Sequence, residues 1–145
     1  MPTQLGRKMD IYYRGKYPHM LAEDQPVWDR FLDQYADLFL HFFYDTRVGG
    51  QINLDPTISP QIADMWYNTT AKRIDALGER DKEIWIIEVA QRPSLRAVGQ
   101  ILSYYSLWLL DPIIKKPIIN ALVADTLDVD LQYVLFTSGI RYYLV

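Results

Sequence analysis

The 145-residue sequence contains no cysteine and no long uninterrupted apolar segment. Without thiols the chain cannot form disulfides, cysteine-ligated zinc sites or a thiol nucleophile, and a reducing compartment suits it. The longest apolar stretches, 38–44 and 107–114, are interrupted by His41 and by Asp111 and Pro112. We therefore expect neither a cleaved signal peptide nor a membrane span, and no membrane partner.

Basic residues are scarce outside the N-terminal segment. The first 20 residues contain Arg7, Lys8, Arg14 and Lys16 against Asp10, a net charge of +3, so the total of −3 leaves −6 for the other residues. A protein that holds duplex DNA usually has a basic face, because phosphate contacts supply most of the affinity. The acidic body therefore does not favour a DNA clamp.

Half of the residues are hydrophobic and 14% are aromatic, which is typical of one folded domain. Residues 1–25 show no sustained hydrophobic periodicity, which predicts an extended N-terminal arm, whereas residues 26–145 are predicted to form the folded domain. We expect the arm to bind another copy of the chain or a neighbouring structural protein. DNA is a competing target that is not favoured. The expected partner-binding residues are Arg7, Lys8, Tyr12, Tyr13, Arg14, Lys16 and Tyr17.

Hydrophobic periodicity and turn residues predict an alternating α/β order, α-β-β-β-α-β-α-β. A hairpin followed by strand–helix–strand crossovers predicts a mixed sheet flanked by helices on both faces. The predicted helices cover 26 to about 39, 93 to about 109 and 128–138, with a short one at 61–67. The predicted strands cover 42–48, 71–77, 83–91, 118–124 and 141–145, and Asp24 is the expected cap of the first helix.

Two acidic residues lie on the predicted hairpin, Asp75 in its first strand and Glu88 in its second. A four-residue loop at 79–82 would place Asp75 opposite Ile86 and Arg73 opposite Glu88, with both carboxylates on one face of the sheet. Gln100 and Tyr104, four residues apart on the next helix, would present a polar edge toward that face.

This combination resembles the PD-(D/E)XK, or restriction-endonuclease-like, superfamily, in particular the RecB- and Cas4-like branch with its Gln-x-x-x-Tyr helix motif. It is also similar to short members encoded by tailed bacteriophages, which share the pattern of residues 72–76, Lys-Arg-Ile-Asp-Ala. The resemblance implies an α-β-β-β-α-β core. It further implies a site of Asp75, Glu88, Gln100 and Tyr104, in which the two carboxylates and the carbonyl of residue 89 hold Mg²⁺ or Mn²⁺.

The sequence departs from the family at Ala90, where the catalytic lysine should stand. That lysine positions the attacking water and offsets charge on the phosphate, and alanine can do neither. Arg92 shares the face but stays protonated, so it cannot act as a base. Lys72 is expected on the opposite face and Lys115 beyond the helix. We therefore expect a vestigial site that has no cofactor and binds metal weakly or not at all.

These observations lead to a first hypothesis, a catalytically degenerate nuclease-fold protein that serves as a structural component of a phage particle. We expect it near the head–tail connection, in the virion, after assembly in the host cytoplasm. The alternatives are a Mg²⁺-dependent DNA nuclease with a migrated lysine and a non-cleaving DNA-binding protein using residues 7–16. Asp75 and Glu88 could instead be structural, with Arg73 paired to Glu88 across the strands. His19 and His41 have no metal-ligand partner and predict solvent or core roles.

Overall fold

In the computed structural model, which describes residues 3–50 and 55–145, six strands form one mixed sheet in chain order. The first four strands pair antiparallel, and the last three pair parallel. The strands are β1 Arg7–Met9, β2 His41–Gly49, β3 Ala71–Glu79, β4 Ile84–Ala90, β5 Ile118–Ala124 and β6 Arg141–Leu144. The parallel half follows from the two helical crossovers that connect β4, β5 and β6.

Helices cover both faces of this sheet. Helix α1 (Gln25–Tyr35), followed by a 3₁₀ turn at Ala36–Leu38, packs Trp28 and Phe31 against one face of the sheet. Helices α3 (Leu95–Leu110) and α4 (Val129–Thr137) lie on the other face, and α2 (Pro60–Thr70) connects β2 to β3. The predicted fold class is confirmed: the α-β-β-β-α-β core carries a mixed sheet flanked by helices.

The helix boundaries follow from their capping residues. Ser94 accepts a hydrogen bond from the Arg96 N–H at the start of α3, and Asp128 accepts one from the Leu131 N–H at 2.8 Å at the start of α4. Gly139 follows α4 with a φ of 71°, the left-handed conformation that glycine adopts without strain. Asp24 is the N-cap residue of α1, as predicted, but its side chain makes no capping hydrogen bond.

The hairpin register differs from the prediction by two residues. Glu79 pairs with Ile84, so the connecting turn is 80–83 and not 79–82. It is closed by a hydrogen bond from the Arg80 N–H to the Glu83 carbonyl. A shift by two residues leaves Asp75 and Glu88 on the same face, as predicted, since alternate residues of a strand share one face. The alternation is not regular throughout, because Ile74 packs on the same side as Leu77, the side of α3.

The N-terminal segment, predicted to be an extended arm, lies on the body of its own chain. Strand β1 pairs with β2 at the sheet edge, and Tyr17 and Met20 are buried in the α1-side core. The Tyr17 hydroxyl lies 2.5 Å from an Asp29 carboxylate oxygen, and Arg14 pairs with Asp33 at 3.2 Å. Tyr17 therefore has almost no surface to offer a partner. Binding of a partner by the exposed residues of the segment stays a prediction.

The core on the α1 side is largely aromatic. Trp28 is fully buried, stacks on Phe31 at 5.0 Å between ring centroids, and donates its indole N–H to the Tyr44 hydroxyl at 3.0 Å. Each such ring contributes about 1.5–3 kcal/mol through burial alone. The α1 packing thus holds the sheet face behind the hairpin rigid. Among the described residues, no helix combines the length and apolarity needed to cross a membrane.

Candidate functional site

The two hairpin acids meet where the pairing of β3 and β4 ends. The last paired residues there are Ala76 and Ile87, and the same register places Asp75 opposite Glu88. The Asp75 carboxylate accepts a hydrogen bond from the Val89 N–H at 2.9 Å and shares another with the Glu88 carboxyl. The sequence therefore brings both carboxylates together, as predicted, but as direct cross-strand neighbours.

Helix α3 supplies the polar groups that border the pair. Tyr104 is mostly buried and hydrogen-bonds to Glu88, and Gln100, one turn earlier, hydrogen-bonds to Tyr104. Burial and the nearby carboxylates raise the pKa of the Tyr104 phenol, so this group remains a proton donor at neutral pH. All four residues of the predicted motif thus form one connected cluster, whatever role the cluster has.

Arg73 does not pair with Glu88, so the predicted cross-strand ion pair was wrong. Its Nε and Nη2 atoms donate to the two carboxylate oxygens of Asp45 at 2.7 and 2.5 Å. Asp45 lies on β2 with a φ of 64°, a left-handed backbone conformation that is uncommon outside glycine. The guanidinium is thereby held by a bidentate partner on the neighbouring strand.

The electrostatics of the pair favour a shared proton. Burial is the largest cause that raises the pKa of the Glu88 carboxyl, and the charge of Asp75 raises it further. Burial also raises the pKa of Asp75, while the Val89 N–H opposes that rise. None of the largest contributions to either pKa comes from a cation. The two carboxyls therefore hold a proton well above the pH at which free carboxyls lose theirs.

Asp24 is a third acid at the site that sequence reasoning assigned to a different role. Its carboxylate accepts a hydrogen bond from the Gln91 N–H at 2.8 Å, directly after β4. Its charge raises the pKa of both Asp75 and Glu88, and burial raises its own pKa. No spacing rule links Asp24 to the hairpin, because the contact depends on how the N-terminal segment crosses the end of β4.

The acids line a cleft of about 460 Å³ between the N-terminal segment and α3. Arg73 lines this cleft, but Lys72 and Lys115 do not. Ala90, at the end of β4, lines an adjoining cleft together with Arg92 and Arg96, both exposed. Lys72, expected on the opposite face of the sheet, lines another adjoining cleft together with Arg73, Gln100 and Tyr104.

His19 also lines the cleft, although sequence reasoning gave it a solvent or core role. It is exposed and has a φ of 61°, and non-glycine residues in that conformation are concentrated at functional sites. Its position could not have been predicted from sequence, because the surrounding residues show no period. The other histidine, His41, lies on β2, where its Nε2 is 2.6 Å from a Glu79 carboxylate oxygen.

The carboxylate pair has the donor type that a hard divalent cation requires. Oxygen Oε2 of Glu88 is buried without a hydrogen-bond partner, and carboxylate oxygens are the ligands that Mg²⁺ prefers. Residues 3–50 and 55–145 contain no cluster of three or more acidic or histidine side chains that could hold a metal ion. Two carboxylates still suffice for Mg²⁺, which keeps several of its waters in protein sites. Asp75 and Glu88 would hold the ion.

Comparison with known proteins yields one fold-level match. No protein-family model matches the chain, and no curated protein matches it. A solved structure described as "Structure of EndoMS-dsDNA2 complex" is similar with a TM-score of 0.48 and 18% sequence identity over 92% of this chain. The aligned part is 49% of that protein, so the chain spans about half of its length.

Proposed function

We propose that the chain is a nuclease-fold protein that keeps a carboxylate pair able to bind a divalent cation but does not cleave DNA. The observation that carries the proposal is the geometry of the site: Asp75 lies opposite Glu88 on adjacent strands, a buried Glu88 carboxylate oxygen has no hydrogen-bond partner, and Ala90 stands where the resemblance implies a lysine. A lysine ammonium beside two carboxylates would favour their ionised forms, whereas with Ala90 in that place the pair retains a proton.

The alanine at position 90 also leaves the site without a cationic group that cleavage of DNA requires. Phosphodiester hydrolysis requires a positioned nucleophilic water and a cationic group that offsets charge in the transition state. A bound cation would supply Lewis-acid activation of the phosphate. Of this chain's residues, Asp75 and Glu88 would hold the ion, and Tyr104 would orient Glu88. Arg73 is occupied by Asp45, so its guanidinium is not available to a phosphate without breaking two charge-assisted hydrogen bonds.

We further propose that the protein serves as a structural component of a phage particle, near the head–tail connection, and resides in the virion after assembly in the host cytoplasm. This part of the proposal is supported by the resemblance of the motif to short phage-encoded proteins and by the acidic body of the chain. Its partners would be other copies of the chain and neighbouring structural proteins.

The test of the first part is a cleavage assay. Linear, nicked and single-stranded DNA are incubated with micromolar protein and Mg²⁺ or Mn²⁺, and we expect no product above that of the Asp75→Ala variant. Loss of one charge-stabilising group alone costs about 10²–10³-fold in rate. Cleavage that disappears in Asp75→Ala would contradict the proposal.

A metal-dependent nuclease is the second candidate, favoured by the cations that flank the acids. Lys72 and Arg96 line a cleft that adjoins the acids on one side, and Arg92 and Arg96 line the cleft on the other. Basic groups on both sides of a metal site suit a nucleic-acid backbone that crosses the metal. In this case DNA would bind with a steep salt dependence and be cut. A non-cleaving DNA-binding protein would show the binding alone.

A further inference from the structure

An apolar surface covers the outer side of helix α4. Val129, Tyr133 and Phe136 are 79%, 68% and 77% exposed, and their spacing places them on one helix face. The opposite face of α4 buries Leu131 and Leu135 against α3 and the sheet. The helix is therefore apolar on two sides, whereas a surface helix normally turns a polar face outward.

The edge strand β6 extends this surface. It pairs with β5 on one side, and the structure places no other described strand beside it. Tyr142 and Leu144 are exposed on the side of α4, and the Tyr142 hydroxyl lies 3.4 Å from the Gln132 side-chain oxygen of that helix. Arg141, the one charged residue of β6, lies over the Trp85 ring at 5.4 Å, on the other face of the sheet.

Exposed sheet edges are usually protected by lysine, proline, a bulge or a covering segment, because an unpaired strand recruits another. Strand β6 contains neither lysine nor proline, and its α4 side carries aromatic and aliphatic groups only. The unpaired edge and the apolar helix face are contiguous. They form what we call the α4/β6 surface: Val129, Tyr133, Phe136, Tyr142 and Leu144.

We propose that the α4/β6 surface binds a second copy of this chain, with the two β6 strands antiparallel and the two α4 helices packed against each other. A twofold axis normal to the sheet relates two edge strands antiparallel, so one continuous sheet forms without any further adjustment. An apolar patch is also complementary to itself, as an isologous interface requires.

The exposed area of the α4/β6 surface is compatible with the binding of a second copy of the chain. From their exposures, the five side chains offer about 600 Å² per copy, close to the ~800 Å² that each partner contributes to a typical stable interface. The exposed backbone of β6 adds main-chain hydrogen bonds that a partner without a strand could not make. The proposal concerns a surface other than the N-terminal segment and does not depend on the metal-binding proposal.

The molar mass in solution tests it. Size-exclusion chromatography with light scattering of the full chain at micromolar concentration is expected to give twice the 17.0 kDa of one chain. Phe136→Lys should raise the dissociation constant by about 30-fold or more, as expected for an aromatic interface residue, and yield monomer. The matched control is Met65→Lys, which alters an exposed apolar residue on α2, 63% exposed and between β2 and β3, and should leave the dimer intact.

Hydrogen exchange supplies a second readout that does not depend on a variant. The amides of residues 141–144 should exchange faster on dilution below the dissociation constant, while those of the buried strand β5 should not change. A monomeric wild type would overturn the proposal. So would a dimer that survives both Phe136→Lys and Tyr133→Lys, or one that is lost in Met65→Lys.

Discussion

Replacement of Glu88 by glutamine should change how stability depends on pH. The pKa of this carboxyl is raised in the folded chain, so the native state holds a proton that the unfolded state releases at lower pH. The stability from this proton is fully present below the unfolded pKa, about 4.3 for glutamate, and is lost as the pH rises toward the folded pKa. The glutamine variant is neutral at every pH and should not show this loss.

The size of the effect follows from the burial of the pair. Glu88 is buried and Asp75 is half-buried, and Asp24 adds a third negative charge nearby. A difference of one pH unit between the folded and the unfolded pKa corresponds to about 1.4 kcal/mol, so the raised pKa of Glu88 destabilises the wild type by on the order of a few kcal/mol at alkaline pH. The glutamine amide can still donate to the Asp75 carboxylate, as the protonated Glu88 does.

Urea unfolding between pH 5 and pH 9 measures this difference. The free energy of unfolding of Glu88→Gln should be close to that of the wild type at pH 5 and should exceed it increasingly as the pH rises, by on the order of a few kcal/mol at pH 9. Asp33→Asn, which removes an exposed carboxylate paired with Arg14, is the control and should give a small difference that does not grow. A pH-independent difference, or a Glu88→Gln variant that is less stable at pH 9, would refute the shared proton.

Three further predictions concern the surroundings of the pair. About 10 mM Mg²⁺ at pH 8 should raise the Tm of the wild type by a few degrees and leave that of Asp75→Asn unchanged in a thermal melt, because the carboxylate pair is the proposed site of the ion. Asp24→Asn keeps an oxygen for the Gln91 N–H but removes a charge, so the same urea series should show a smaller loss of stability with pH. Gly6→Ala would place Cβ 1.8 Å from the Tyr44 carbonyl oxygen, and should cost about 1–3 kcal/mol and expose the β1 amides to hydrogen exchange. Unchanged stability would contradict the close packing of that segment.

The sequence predicted the parts of the fold that depend on local pattern. Strand β5, which is apolar except for Asn120, was predicted with its observed ends, and Asp128 and Gly139 bounded α4 as expected. The two hairpin acids were correctly predicted on one face, because side chains alternate between the two faces along each strand and a register shift by two residues preserves the face. Their cross-strand partners were predicted incorrectly, since the position of a four-residue turn depends on which backbone groups close it.

Contacts between distant segments could not be predicted. The N-terminal segment has no hydrophobic period, yet Tyr17 is buried against α1 and Asp24 reaches the end of β4. A single tyrosine or aspartate carries no signal of its partner, so Asp24 was assigned from local spacing as a helix cap. Arg73 likewise had a plausible partner in Glu88 across the predicted hairpin, but it hydrogen-bonds to Asp45, a residue with a left-handed backbone conformation on β2.

The most direct test of the central claim is the cleavage activity of Ala90→Lys beside the wild type, with Mn²⁺ and linear DNA. If the carboxylates are intact and only the cation is missing, the wild type should give no product and Ala90→Lys should give Mn²⁺-dependent product. That product should vanish when Asp75→Ala is added to Ala90→Lys. Cleavage by the wild type that is lost in Asp75→Ala would contradict the account.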